Sequence, residues 1–329
     1  MVRRILDANA SDLGKMTGRE LLTSIRAAEG RTLVAETIAP APPLLGDVTN
    51  AELARAFGAD IVLLNMFDVR APHVEGLDIP DDDDFFLRTY GQGHRVRSTD
   101  APGAHSGTIA ALKRLIGRPV AINLEPVDEE ERVLGPQAKL PEGRRATPEN
   151  ARLAVEQGVD MLVVTGNPAT GVTTASIAAS LRGIREAVGP DPILAAGKMH
   201  AAGSATDAGS DIVDEAIIGR WIDAGANIVL LPAPGTVPGI SPERVRDLVG
   251  VVHAKGALAM TAIGTSQEGS DEATIRQIAL WAKSCGADLH HIGDSGYPGI
   301  AVPENILAYS IVIRGRRHAW RRMAASIAR

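Results

Sequence analysis

The sequence predicts a (β/α)8 barrel, and three observations carry that reading. The first is a phrase that occurs four times: a glycine, a small apolar residue, Asp or Asn, then an aliphatic run. It appears as Gly58-Ala59-Asp60 before IVLLN, Gly158-Val159-Asp160 before MLVVTG, Gly225-Ala226-Asn227 before IVLLPAPG and Gly286-Ala287-Asp288 before LHHIGD. The second is that four other aliphatic runs alternate with these: TLVAETI (32–38), RPVAINLEP (118–126), PILAAGKMH (192–200) and ALAMTAIG (257–264). The third is composition. Aromatics make up only 3% of the chain and hydrophobic residues 45%, so the core is built from Ala, Val, Ile and Leu. Unbroken aliphatic runs of that kind suit parallel strands buried on both faces.

Taken in order, the runs give eight strands. Each follows a glycine placed to end a helix in the left-handed conformation: Gly30, Gly58, Gly117, Gly158, Gly189, Gly225, Gly256 and Gly286. The last three phrases are 67 and 61 residues apart and the first two 100 apart, so the unit is βαβα and four units close the barrel. Helical periodicity covers 49–57, 106–116, 147–157, 173–188, 210–224, 241–254, 270–285 and 303–327. Capping residues or a proline in the first turn open several of these at Thr147-Pro148, Ser241-Pro242, Ser270 and Val302-Pro303. A further helix before the first strand begins with a capping box, Thr17-Gly18-Arg19-Glu20. It is expected to plug the N-terminal end of the barrel. A doubly wound sheet fits less well, because no G-x-G-x-x-G follows the first strand.

The expected organisation is one domain over 1–329. Residues 1–31 form an N-terminal capping segment, and loop insertions at 69–105 and 127–146 follow strands two and three. The first insertion carries Asp81 to Asp84, Tyr90, Gly91, Gly93 and His94; the second carries Glu129, Glu130, Glu131, Arg144 and Arg145. Long loops of this kind serve as lids or binding loops, or as plain surface insertions and subunit contacts.

A net charge of −6 speaks against nucleic acid as a partner. The basic C-terminal stretch RGRRHAWRRMAASIAR reads as a solvated or subunit-contact face, and a homo-oligomer is expected. No run reaches the roughly 18 uncharged apolar residues of a membrane span. The single cysteine, Cys285, reads as a buried packing thiol and fits a reducing cytoplasm.

In such a barrel, chemistry sits at the C-terminal ends of the strands. The residues this selects as catalytic candidates are Glu36, Asn65, Asn123, Glu125, Lys198, His200 and His291. Strand alternation sends His291 to the barrel interior and His290 to the helices. Lys198 ends an otherwise apolar run. An amine held there could act as a base or imine-forming nucleophile, bind an anion, or pair with Glu36 or Glu125. Asp68, Glu125, His200, His291 and Asp294 are candidates for a divalent metal (Mg, Mn or Zn), although no compact ligand motif is present. Thr165, Asn167 and Thr236 are candidates for contact with a small anionic substrate. So are the glycine-rich loops with Gly264, Thr265 and Ser266 and with Gly293, Asp294, Ser295 and Gly296. Glu268 and Asp294 place negative charge in those same loops.

Long phrases resemble an uncharacterised family of bacterial barrel proteins: RILDANASDL, AETIAPAPPLL, ADIVLLNMFDV, TGNPATGVT, AGKMHAAG, AIGTSQEGSDEATIRQIAL and HHIGDSGYPGIAVPENI. Members often carry the label haloacid dehalogenase-like hydrolase. The residues do not fit that chemistry, since Asp68-Val69-Arg70 lacks the second Asp of Asp-x-Asp and Pro298 breaks the late Gly-Asp-x-x-x-Asp. A phosphoenolpyruvate mutase-like label fits a barrel better, and NMFDVRAP with RPVAINLEP distantly resembles the BtpA family. The expectation from residues and resemblance is a lyase or isomerase acting on a phosphorylated sugar or oxyacid. A metal-dependent hydrolase, or a barrel that only binds a metabolite or partner, remains open beside it.

Overall fold

The computed structural model describes residues 2–77, 107–128, 140–166, 170–200, 212–296 and 298–329. Asp81 to Asp84, Tyr90, Gly91, Gly93, His94, Glu129 to Glu131 and Asn167 lie outside the described residues. Eight parallel strands close into a barrel in sequence order. They are β1 (Thr32–Ile38), β2 (Ile61–Asn65), β3 (Val120–Leu124), β4 (Met161–Val164), β5 (Ile193–Gly197), β6 (Ile228–Pro232), β7 (Leu258–Ile263) and β8 (Leu289–Ile292). β1 pairs with β2 on one side and with β8 on the other, so no edge remains. All eight glycines that precede the strands adopt positive φ. At Gly30 a side chain is excluded twice over, since φ is 64° and a Cβ would lie 2.5 Å from the Ala287 carbonyl oxygen.

Strand alternation separates two cores. Val34, Ile61, Leu63, Ala121, Met161, Val163, Ile193, Ala195, Ile228, Leu230, Leu258, Met260 and Leu289 fill the barrel interior. Ile5, Leu6, Leu13, Leu21 and Ile25 join the same cluster, so the N-terminal segment closes one end of the barrel. Its helix Gly18–Arg26 is held by the expected capping box: the Glu20 amide donates to Thr17 Oγ1, and Glu20 Oε2 accepts from the Thr17 amide at 2.9 Å. The alternate positions, among them Val62, Leu64, Ile122, Leu124, Leu162 and Val229, pack against the helices. Most helix ends follow the sequence, with shifts: the helix expected over 210–224 is Glu215–Asp223 with Asp214 as its cap, and the one expected over 303–327 ends at Ala324. Asp271, not Ser270, caps Glu272–Ser284, because its carboxylate accepts from the Thr274 amide at 2.8 Å.

The fourfold phrase has a physical job. Each Asp or Asn clasps one residue of the preceding strand, accepting from its amide and donating to its carbonyl. Asp60 does so with Leu33, Asp160 with Val120, Asn227 with Leu194 and Asp288 with Ala259. Each clasp also meets a basic side chain from a neighbouring helix: Arg314 and Arg322 at Asp60, Lys113 at Asp160, Arg185 at Asn227 and His253 at Asp288. This corrects the reading of the C-terminal arginines as a solvated face. Arg314 and Arg322 are buried, with nitrogens 2.8 and 2.7 Å from the two Asp60 oxygens. Gly315, at φ 75°, breaks the helix Pro303–Ala324 just after Arg314. Arg316 and Arg317 remain exposed. Cys285 is buried, as expected of a packing thiol, and desolvation pushes its thiol up.

Candidate active site at the C-terminal mouth

The interior alternation continues past the apolar layers and becomes polar at the C-terminal end. On β8, β1, β2, β3 and just after β4 the interior positions are His291, Glu36, Asn65, Asn123 and Thr165. On β5, β6 and β7 the matching positions are Gly197, Pro232 and Ala262. The polar groups therefore occupy one contiguous arc of the mouth.

Within the arc they form a chain of hydrogen bonds. Glu36 Oε2 lies 3.0 Å from His291 Nε2, and Glu36 Oε1 accepts from Asn123 Nδ2 at 2.8 Å. Asn123 Nδ2 also reaches Asn65 Oδ1 at 3.4 Å, and Asn65 Nδ2 donates to Asp294 Oδ2 at 2.8 Å. Glu36 is 3% exposed and His291 fully buried. Two polar atoms of this chain, His291 Nδ1 and Asn123 Oδ1, are buried with no hydrogen-bond partner among the described residues. Buried polar atoms are ordinarily satisfied, and these two belong to a single network at the mouth, where a ligand's groups could complete them.

His290 faces the opposite way. Its Nε2 lies 3.0 Å from the Gly30 carbonyl oxygen, and its ring packs on Tyr309 at 5.6 Å between centroids. Desolvation drives its pKa down to about 4. Adjacent histidines on one strand thus have different surroundings because of the pleat alone.

The remaining candidates separate into groups. Glu125 pairs with Arg144 at 2.5 Å and accepts from Thr170 Oγ1 at 2.9 Å, so its charge is matched within its own loop region. Gly166 makes room for it, since a Cβ there would lie 2.9 Å from Glu125 Oε2. Thr165 donates to the Gly197 carbonyl at 2.8 Å. Asp68 closes a turn by accepting from the Arg70 and Ala71 amides, and a Cβ at Gly143 would overlap its carboxylate. β5 ends at Gly197, so the loop rather than the pleat directs Lys198, which is 1% exposed. Burial and the nearby Lys198 charge push His200 down. Among the described residues no three His, Cys, Asp or Glu side chains come close enough to hold a metal ion. Of the candidate ligands, Asp68 is engaged in a turn and Glu125 by Arg144, while His291 and Asp294 belong to the one hydrogen-bonded chain of the mouth.

The glycine loops after β7 and β8 carry the acidic side chains Glu268 and Asp294. Asp294 Oδ1 accepts from the Gly296 amide at 2.7 Å. Thr265 Oγ1 donates to the Thr236 carbonyl at 3.0 Å, and the Thr236 hydroxyl is used within its own turn by Ala233. Gly264 is required by close packing, since a Cβ would sit 2.6 Å from Met199 Sδ. Ser266 and Ser295 both adopt positive φ, at 73° and 58°. The sequence reading gave Glu268 no role at the site. It is 4% exposed on a short 3-10 turn, Gln267–Gly269, and burial beside Asp294 and Glu36 pushes its carboxyl up. Its signal was a carboxylate in a glycine-rich loop, which strand alternation cannot place.

Comparison with known proteins agrees with the architecture. Two structures of an archaeal fructose 1,6-bisphosphate aldolase match at 14% identity and a TM-score of 0.51. One match covers 90% of this chain and 98% of the aldolase chain; the other, with the catalytic Lys bound to a carbinolamine intermediate, covers 91% and 99%. The structure of a 2,3-dimethylmalate lyase, a PEP mutase/isocitrate lyase superfamily member, matches at 16% identity and a TM-score of 0.45, covering 84% of this chain and 81% of the lyase. The likeness to the aldolase structures is one of fold. No curated protein matches the sequence. No helix among the described residues is long and apolar enough to cross a membrane. Over residues 6–329 the chain matches, and belongs to, the family described as Domain of unknown function (DUF7916).

Proposed function

We propose that the protein is a lyase or isomerase that moves a proton next to the carbonyl of a small phosphorylated sugar or oxyacid. The observation that carries this is the buried Glu36–His291 pair with its second ring nitrogen, Nδ1, left without a partner among the described residues. A carboxylate that holds one nitrogen of an imidazole fixes its orientation and makes the other nitrogen a competent base. Asn65 and Asn123, already aligned by hydrogen bonds to the same network, would orient the carbonyl and hydroxyl oxygens. The anionic group of the substrate would lie away from the acidic loops, on the side of Arg144, Lys198 and His200.

The test is carbon-bound hydrogen exchange in D2O, followed by proton NMR, across a panel of phosphorylated ketoses and 2-oxo and 2-hydroxy acids. Wild-type protein should exchange hydrogen beside the carbonyl of at least one probe. His291→Gln should slow that exchange by a factor of about 100 or more. Unchanged exchange in the variant would overturn the assignment.

Burial of Lys198 at the end of β5 favours a second reading, imine formation with the same class of substrate. Borohydride with the reactive probe should then inactivate the protein and add the probe's mass at Lys198, and Lys198→Met should resist both. Turnover undiminished in Lys198→Met would remove that lysine from the mechanism.

A further inference from the structure

We propose that Glu268 is a second proton-transferring residue of this site, an acid that works opposite the Glu36–His291 base. The inference rests on the proton-transfer reading above. Four observations point to it. Glu268 Oε2 is buried with no hydrogen-bond partner among the described residues. The turn that carries it is fixed, because Asn305 Nδ2 donates to the Glu268 and Ser270 carbonyls at 2.9 and 2.8 Å. A niche is built for the carboxyl: a Cβ at Gly293 would lie 3.1 Å from Glu268 Oε1. The charged groups that act on it are His291 on β8, Asp294 just after β8 and Glu36 on β1. The helix packed on the turn offers the neutral Asn305.

Glu36 bonds to His291, Asp294 follows His291 at the end of β8 and bonds to Asn65, and the Glu268 carboxyl lies against Gly293, between His291 and Asp294 in the chain. Among carboxyls gathered at one poorly solvated place, the one with fewest hydrogen bonds holds its proton most firmly. Glu36 has bonds from Asn123 and His291, and Asp294 has bonds from Asn65 and Gly296. Glu268 has its own backbone amide as donor and is left with the orphan Oε2, so the proton is assigned to that oxygen. In the reaction, His291 Nδ1 takes a proton from the carbon beside the carbonyl. The electron pair moves to form the carbon–carbon double bond, and the carbonyl oxygen takes the proton of Glu268. The products of the step are an enol, a protonated imidazole and an ionised Glu268. Reversal at the adjacent carbon restores all three groups.

Two measurements on the intact protein decide the matter. Infrared spectra near neutral pH should contain a protonated-carboxyl stretch that disappears in Glu268→Gln and persists in Glu36→Gln. In the exchange assay, Glu268→Gln should lower kcat by a factor of about 100 with little change in KM, and Glu268→Asp should recover part of it. Circular dichroism checks that each variant folds. Should Glu268→Gln fail to fold, Glu268→Asp replaces it, and a shift of the same band is then the expected result. A spectrum without the band overturns the proposal. So does a band that Glu268→Gln leaves in place, or full exchange activity in that variant. If no probe exchanges in the wild type, the reading of the Glu36–His291 pair fails and this role falls with it. The band still reports the protonation of Glu268 separately.

Discussion

The two ends of the barrel handle buried charge in opposite ways. At the N-terminal end the Asp60 carboxylate is fully buried and fully matched, by two arginines and the Leu33 amide. At the C-terminal mouth Glu36 holds His291, burial pushes the Glu268 and Asp294 carboxyls up, and His291 Nδ1, Asn123 Oδ1 and Glu268 Oε2 have no partner among the described residues. The strands are the same and the pleat is the same. What differs is countercharge. The Asp60 carboxylate meets two guanidinium groups, although Arg314 Nε and Arg322 Nε make no hydrogen bond among the described residues. Glu268 Oε2 meets neither a cation nor a donor among those residues. A buried charge that is matched fixes a fold, and a buried carboxyl without a partner costs stability and is expected where a ligand completes it.

The largest effect should come from the N-terminal end. Asp60→Asn leaves Arg314 and Arg322 buried without a countercharge and should cost about 3–5 kcal/mol in chemical denaturation. A loss under about 1 kcal/mol would mean the arginines find other partners, and the contrast between the ends would disappear.

A second effect separates the two histidines of β8. His290 is neutral in the folded protein, with its pKa lowered from 6.5 to about 4 by desolvation. Above the unfolded value neither state is charged, and stability is complete. As pH falls below it, the unfolded chain takes up a proton that the folded one refuses. Stability should therefore decline through that window, by about 3 kcal/mol in all. Urea unfolding at several pH values should show this slope in the wild type and a flatter one in His290→Gln. An equal slope in both would place the acid sensitivity elsewhere.

The smallest effect should come from the mouth. Glu36→Gln keeps the size of the side chain and part of its bonding, so it should change stability by less than about 2 kcal/mol while lowering exchange activity. If it destabilised the fold as strongly as Asp60→Asn, the mouth would have to be counted as structure.

Much of this was legible in the chain. The fourfold phrase announced eight strands, and the clasp made by Asp60, Asp160, Asn227 and Asp288 explains why an Asp or Asn recurs there. Alternation alone assigned His291 to the interior and His290 to the helices. It could not follow the chain past the strand ends. Lys198 lies one residue beyond β5, and Glu268 stands on a turn that Asn305, far along the chain, holds in place. Nor could it show that Glu125 would meet Arg144, or that two of the C-terminal arginines would turn inward to Asp60.

The sequence by itself therefore determined the barrel, its repeat and which faces of the strands are apolar. These depend on local periodicity and on glycines that need positive φ, and both are written residue by residue. Only the tertiary structure decided which charges are neutralised and which stay unmatched. That depends on distances between residues far apart in the chain, and a change of an ångström or two in a buried place alters which partner a carboxylate has.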